Sequence, residues 1–219
     1  MEKKRLIPRY AIIPSLIVIA ANFIAYYGGN LIASGFHHYN IETSLDDKLP
    51  FLEFFVVFYV LAYAQWVVSY ILIAREGKAL FYKFVVADVL AKVICLIIFI
   101  VFPTTISHQG EPGNNPFGFI TKIVYYFDSP TNLFPSIHCL ESWVCLRAAL
   151  QMKKVPTWYK PFTLFFSVAV FLSTVFLKQH VVVDIPAGIL VFEIGLIIVT
   201  LTGLDKKILG RIESKNKEI

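Results

Sequence analysis

The chain has 219 residues, of which 57% are hydrophobic and 16% charged, with a mean hydropathy of +0.68 and a net charge of +5. This balance excludes a soluble globule and points to one all-α, polytopic membrane domain over residues 1–219. Lysine and arginine fall in short clusters between apolar runs, so membrane topology accounts for the positive charge and nucleic-acid binding is not implied.

The first cluster, Lys3, Lys4, Arg5 and Arg9, precedes an apolar run over about 11–33. The run is longer than the core of a signal peptide and shows no small-residue cleavage site, so it is expected to be the first membrane helix. A hydrocarbon core about 30 Å thick needs roughly 20 such residues. The polar stretch 34–50 carries His37, His38, Asp46 and Asp47 and reads as a solvated loop, because adjacent histidines on a helix do not converge on a metal. A second helix is expected over 51–74, where Tyr59, Tyr63, Trp66 and Tyr70 form a stripe at helical spacing that reads as packing.

After a short basic loop at 75–83, a third helix is expected over about 84–102. Asp88 and Lys92 lie one turn apart within it, a pair that can neutralise itself while the lysine stem snorkels. The segment 103–133 is the longest non-apolar stretch and is rich in Gly, Pro and Asn, the profile of a functional loop. Pro135 is expected to open a fourth helix running to about residue 150, followed by a basic loop at 151–160. A fifth helix is expected over 161–177, a sixth over 180–201, and then a basic tail with Lys206, Lys207, Arg211, Lys215 and Lys217. Cys95, Cys139 and Cys145 are an odd number without zinc-ligand spacing and read as apolar fillers.

Six helices put the amino terminus, both basic loops and the tail on one side. The positive-inside rule makes that side cytoplasmic, in the cell membrane for a multi-pass chain of this kind. His138 and His180 then share the opposite, extracytoplasmic face. Ionisable residues at a membrane edge are expensive to keep there, which marks them as candidates for function. His180 and Asp184 are four residues apart, so the carboxylate can orient the imidazole, and His138 can serve a reaction centre from the other side.

These residues carry a resemblance. Pro135-Ser136-Ile137-His138 resembles the second signature of the type 2 phosphatidic acid phosphatase superfamily. Ser173-Thr174, five residues, His180, three residues and Asp184 resemble its third, in which the second position is arginine. Asn132 to Ser136 and Gln179-His180 also look like the branch that includes sphingolipid head-group synthases. The resemblance implies a six-helix membrane enzyme. In it His180 attacks phosphorus to give a phosphohistidine, Asp184 holds its ring, His138 protonates the leaving group and Ser136 bonds a phosphoryl oxygen. It implies no metal or other cofactor, a lipid phosphate or diphosphate as substrate, and no obligate protein partner.

The chain departs from the pattern at its cations. Thr174 stands where the third signature has arginine. In the first signature's place, Val101 replaces lysine and His108-Gln109 replace Arg-Pro. Phosphoryl transfer leans on cations around the equatorial oxygens, so Lys178 is the preferred replacement, with His108, Lys122 and Arg147 as further candidates and Ser173 as a neutral contact. Arg147 and Glu193 are both deep and are expected to pair with each other. Glu141, on the same face as His138, either tunes that histidine, reads a cationic head group or supports the site from behind. Besides a lipid phosphatase at the outer leaflet, a head-group phosphotransferase and a non-catalytic or transport relative remain as alternatives.

Overall fold

The computed structural model of the chain describes residues 5–107, 109–128 and 130–215. α1 (Arg9–Phe23) runs through a π-helical turn (Ile24–Gly28) into α2 (Gly29–Ala33), so the three form one continuous span, Arg9–Ala33. There follow β1 (Tyr39–Asn40), α3 (Ser44–Lys48), α4 (Val56–Glu76, entered by a 3-10 turn, Glu53–Phe55) and α5 (Lys78–Val101). The second half contains β2 (Thr104–Thr105), α6 (Pro116–Phe127), α7 (Ile137–Gln151), α8 (Tyr159–Phe176), α9 (Asp184–Thr202) and α10 (Leu204–Lys215).

Five of these spans are long and apolar enough to cross a membrane: Arg9–Ala33, Glu53–Glu76, Lys78–Val101, Tyr159–Phe176 and Asp184–Thr202. Their outward faces carry Ile13, Leu16, Val67, Ile97, Leu190 and Ile197, all exposed, as expected of helices facing lipid rather than water. The expected fourth helix is α7, whose 15 residues rise about 22 Å. It is the hub of the bundle. Eleven of its residues are buried, and α4, α5, α8 and α9 all pack against it. A helix covered on every side can hold polar groups, because protein rather than lipid surrounds them.

The other boundaries shift for local reasons. The expected 75–83 loop shrinks to a single residue, Gly77, whose φ of 153° is open to glycine and closed to most other residues. The long 103–133 loop contains α6, started by Asn115, whose side chain accepts from the Phe117 and Gly118 amides, with Pro116 in the first turn. The described part of the basic tail lies in α10, and Lys217 falls outside the described residues. Lys92 does not snorkel: it is 1% exposed, 2.7 Å from Asp88 Oδ2, and donates a second bond to Glu141. Arg147 pairs with Glu193 as expected, Nε to Oε1 at 2.5 Å, and Trp143 Nε1 donates to the same oxygen at 2.8 Å. The three cysteines are buried free thiols.

The basic segments gather at one end of the bundle. Glu76 accepts the backbone amides of Lys153 and Lys154 at 2.9 and 3.0 Å, and Lys78 pairs with Glu213 of α10 at 2.8 Å. The opposite end is knit by the parallel β1–β2 pairing, by Leu52 N–H on the Phe176 carbonyl at 3.0 Å, and by Thr104 Oγ1, which accepts the amides of Leu133 and Phe134. His138 and His180 lie at this second end.

Candidate functional site

His180 is positioned by the way α8 ends. After Leu177 the chain turns through Lys178 in the left-handed region (φ 52°), and the Gln179 and His180 amides both return to the Thr174 carbonyl, at 3.1 and 3.0 Å. This is a Schellman-type stop built on a non-glycine residue. Asp46 fixes the loop from outside: its Oδ1 accepts the Val182 amide at 2.7 Å, and its carbonyl accepts Lys178 Nζ at 2.6 Å. α9 therefore starts at Asp184 rather than at His180, and the two residues are joined across a turn instead of along a helix. The expected contact still forms. Asp184 Oδ2 lies 3.0 Å from His180 Nδ1 and also accepts the Val181 amide at 3.1 Å, while Asp184 itself is fully buried. A proton held on Nδ1 leaves Nε2 as the lone-pair nitrogen.

His138 sits in the first turn of α7. Pro135 does not open that helix. Ser136 is its N-cap, and the hydroxyl accepts the Cys139 amide at 3.3 Å. Ser136 thus organises the helix end at which the amides of Ile137 and His138 and the positive end of the dipole are presented. The His138 ring stacks on Tyr59 with centroids 4.0 Å apart, and Trp66 and Tyr63 close around it at 5.2 and 5.4 Å. Of the stripe expected to pack on α4, Tyr59, Tyr63 and Trp66 instead make the wall of the site, while Tyr70 is buried in the core and donates to Asp88. The His138 and His180 rings are 6.3 Å apart, centroid to centroid.

What holds the two halves together is a close approach at Gly188. A Cβ there would lie 2.6 Å from the Ser136 carbonyl oxygen and 3.0 Å from the Leu140 nitrogen, both backbone atoms that cannot swing away. Gly188→Ala is expected to cost about 1–3 kcal/mol as overpacking and to lower any turnover at least tenfold by driving the start of α9 from α7. Thermal unfolding and turnover, measured side by side, check it.

Between the histidines opens a cavity of about 260 Å³. Tyr26, Tyr59, Tyr63, Trp66, Asp128 and Asn132 are among its lining residues, and those lining residues include no lysine or arginine. Asp128 Oδ1 accepts the Tyr26 hydroxyl at 2.5 Å and Oδ2 accepts the Tyr59 hydroxyl, so the carboxylate locks the ring that His138 stacks on.

The other expected contacts lie elsewhere. Lys178 lines a separate cavity of about 290 Å³ with Glu42, Asp46 and Asp47, and His180 stands between the two cavities. Ser173 and Thr174 are fully buried, and their hydroxyls donate to the Val170 and Phe171 carbonyls at 2.7 and 2.8 Å. Glu141 is paired with Lys92, Lys122 donates to Asn114 at 3.1 Å, and Arg147 is held by Glu193. His108 lies outside the described residues. Asp128, Asn132 and Asp46 are site residues that spacing alone did not single out. Asp128 and Asn132 come within eight residues of Ser136, which was the available signal, whereas nothing near Asp46 announces its reach to the His180 loop.

Compared with known proteins, the chain matches no protein-family model, no curated relative and no solved structure.

Proposed function

We propose that the protein is a membrane lipid phosphoesterase of the superfamily its signatures resemble, with α7, fourth in order, joining the five longer spans to make six helices, both termini cytoplasmic and the histidine pair at the extracytoplasmic face. The observation that carries this reading is the Asp184-held His180 ring facing His138 at 6.3 Å, at the N-terminus of a helix. That gap suits one phosphoryl group, with reacting atoms within about 3–3.5 Å.

His180 Nε2 gives its lone pair to phosphorus as the bond to the ester oxygen breaks. An imidazolium at His138 passes its proton to that oxygen, so an alcohol leaves and a phosphohistidine remains. Water then attacks phosphorus, neutral His138 takes its proton, and the phosphorus–nitrogen bond returns its electron pair to His180. Ile137 and His138 amides at the α7 terminus and the Asn132 side chain are the donors for the phosphoryl oxygens.

An apolar groove of about 390 Å³ between α1 and α4 shares Asn22, Phe23, Tyr63 and Trp66 with the site cavity, a path for a lipid tail from the bilayer. In the second reading a lipid alcohol replaces water as the acceptor, making the enzyme a head-group transferase. The cation-free cavity favours it, because a phosphodiester carries less charge than a phosphate monoester or diphosphate. The experiment is a panel of labelled phosphatidic acid, prenyl diphosphate and phosphodiester lipids, with and without a lipid alcohol, comparing wild type with His180→Ala. Release of product that His180→Ala abolishes supports the reading, and an activity untouched by that substitution overturns it.

A further inference from the structure

We propose that the basic cavity at the end of the bundle remote from the histidines binds a phospholipid whose head group carries two or more phosphates, with an acyl chain in the groove between α1 and α4. The site is separate from the phosphoesterase centre and does not rest on that reading. The cavity has a volume of about 670 Å³ and lies where the approach to α1, the α4–α5 corner and the connection from α7 to α8 meet. Arg5, Arg75, Lys78 and Lys154 line it against a single carboxylate, Glu76. Both Glu76 oxygens are already engaged by the Lys153 and Lys154 amides. Lys154 Nζ rests on the Glu76 carbonyl at 2.5 Å, and Lys78 is shared between Glu213 and the face of the Tyr10 ring. Among the described residues neither the Arg5 nor the Arg75 guanidinium has a hydrogen bond or an ion pair, which leaves two forked donors for a ligand.

The backbone adds to this field. α1 and α5 both begin at the cavity, at Pro8 and Gly77, and neither has a side-chain cap or an acid in its first turn. Two helix dipoles therefore present uncompensated positive ends where the cations gather. A head group with one diester phosphate brings a single negative charge to this surface. One with two or more phosphates offers a pair of oxygens to each guanidinium and matches the excess of cations.

The groove makes the ligand a lipid rather than a soluble polyphosphate. Ala74 lines both the basic cavity and the apolar groove of about 390 Å³, so the two spaces meet at the end of α4. From there the groove follows α1, where Ile12, Leu16 and Ile19 line it and are exposed. Between Ile12 and Phe23 the helix rises about 16 Å, close to one leaflet of a hydrocarbon core about 30 Å thick. A head group in the cavity thus has a place for its own tail beside it.

Direct counting of bound ligand tests this. The full chain in a neutral detergent is titrated with phosphatidylinositol bisphosphate, cardiolipin, phosphatidylglycerol and free inositol trisphosphate, and bound copies are read by native mass spectrometry. The two multiply phosphorylated lipids are expected to bind at least about tenfold more tightly than phosphatidylglycerol or inositol trisphosphate. Arg5→Gln and Arg75→Gln should weaken them roughly fivefold each and about 25-fold together. Lys206→Gln with Arg211→Gln removes two cations of α10 outside the cavity and should change affinity by less than about twofold. All four side chains are exposed, so the fold tolerates their replacement. Ile12→Trp, which fills the groove, should weaken lipid binding and leave inositol trisphosphate unchanged. A loss from the α10 pair as large as that from the cavity pair, or phosphatidylglycerol bound as tightly as the other lipids, overturns the proposal. Inositol trisphosphate bound as tightly as the lipids, or no effect of Ile12→Trp, overturns the lipid assignment.

Discussion

His180→Ala is expected to reduce lipid phosphoester turnover to background, and Asp184→Asn to reduce it by about tenfold with the bundle intact. The two substitutions act on different atoms. The first removes the nitrogen that attacks phosphorus, so no phosphoenzyme forms and no other group near the site replaces it. The second removes charge while conserving shape. The Asp184 oxygen that accepts from His180 Nδ1 also accepts the Val181 amide, and an asparagine oxygen can keep both bonds. What disappears is the negative charge opposite a ring that becomes cationic as phosphorus bonds to Nε2. A hydrogen bond to a charged group contributes about 1.5–3 kcal/mol and a neutral one about 1, so the difference of about 0.5–2 kcal/mol corresponds to roughly 2- to 30-fold in rate. Rapid-quench detection of the acid-labile phosphoenzyme, together with turnover, separates the cases. Asp184→Asn should slow phosphoenzyme formation, and His180→Ala should abolish it. A full-rate Asp184→Asn enzyme would mean that the carboxylate only orders the loop.

The parts of this architecture that were legible in the sequence are those set by local pattern or by a short motif. Apolar runs located the membrane-length helices with ends off by up to six residues, the start of α5 at Lys78 being the largest miss, because lipid-facing helices must be apolar along most of their length. The expected ends failed where backbone chemistry overrides hydropathy: at Gly77, at the Asn115-Pro116 start of α6, and at the left-handed Lys178 that ends α8. The His180–Asp184 contact was foreseen from helical spacing, yet it is made across a turn that Asp46 holds from well over a hundred residues away. Lys178 illustrates the limit most sharply. Two residues from His180 in sequence, it gives its ammonium to the Asp46 carbonyl and lines the second cavity, which His180 also borders, and is absent from the lining of the cavity between the histidines. The aromatic wall had the reverse fate. Its stripe was visible, but only the fold shows that His138 lies against it and that Asp128 locks it.

Lys92→Met is expected to destabilise the bundle by about 3–5 kcal/mol, the largest effect of any single substitution outside the site. Lys92 is 1% exposed and serves two carboxylates, at 2.7 Å from Asp88 Oδ2 and in a second bond to Glu141, while the Tyr70 hydroxyl donates to Asp88. One oxygen of each acid, Asp88 Oδ1 and Glu141 Oε2, has no partner, so the lysine is what makes both carboxylates tolerable in the interior. Methionine fills the same volume and leaves two buried acids without a cation. The triple replacement Asp88→Asn, Lys92→Met, Glu141→Gln takes away the charges together and is expected to recover most of the loss, since a buried ion cluster is weak as net stabilisation but costly to break. Thermal unfolding in detergent, followed by helical circular dichroism, gives the comparison, and a Lys92→Met protein that melts with the wild type would rule it out. The same cluster bears on the site. Glu141 is one turn beyond His138 on α7, so the lysine ties the helix that presents His138 to α5. Turnover should therefore fall with Lys92→Met and return with the triple variant, which separates the charge of the tie from the volume of the side chain.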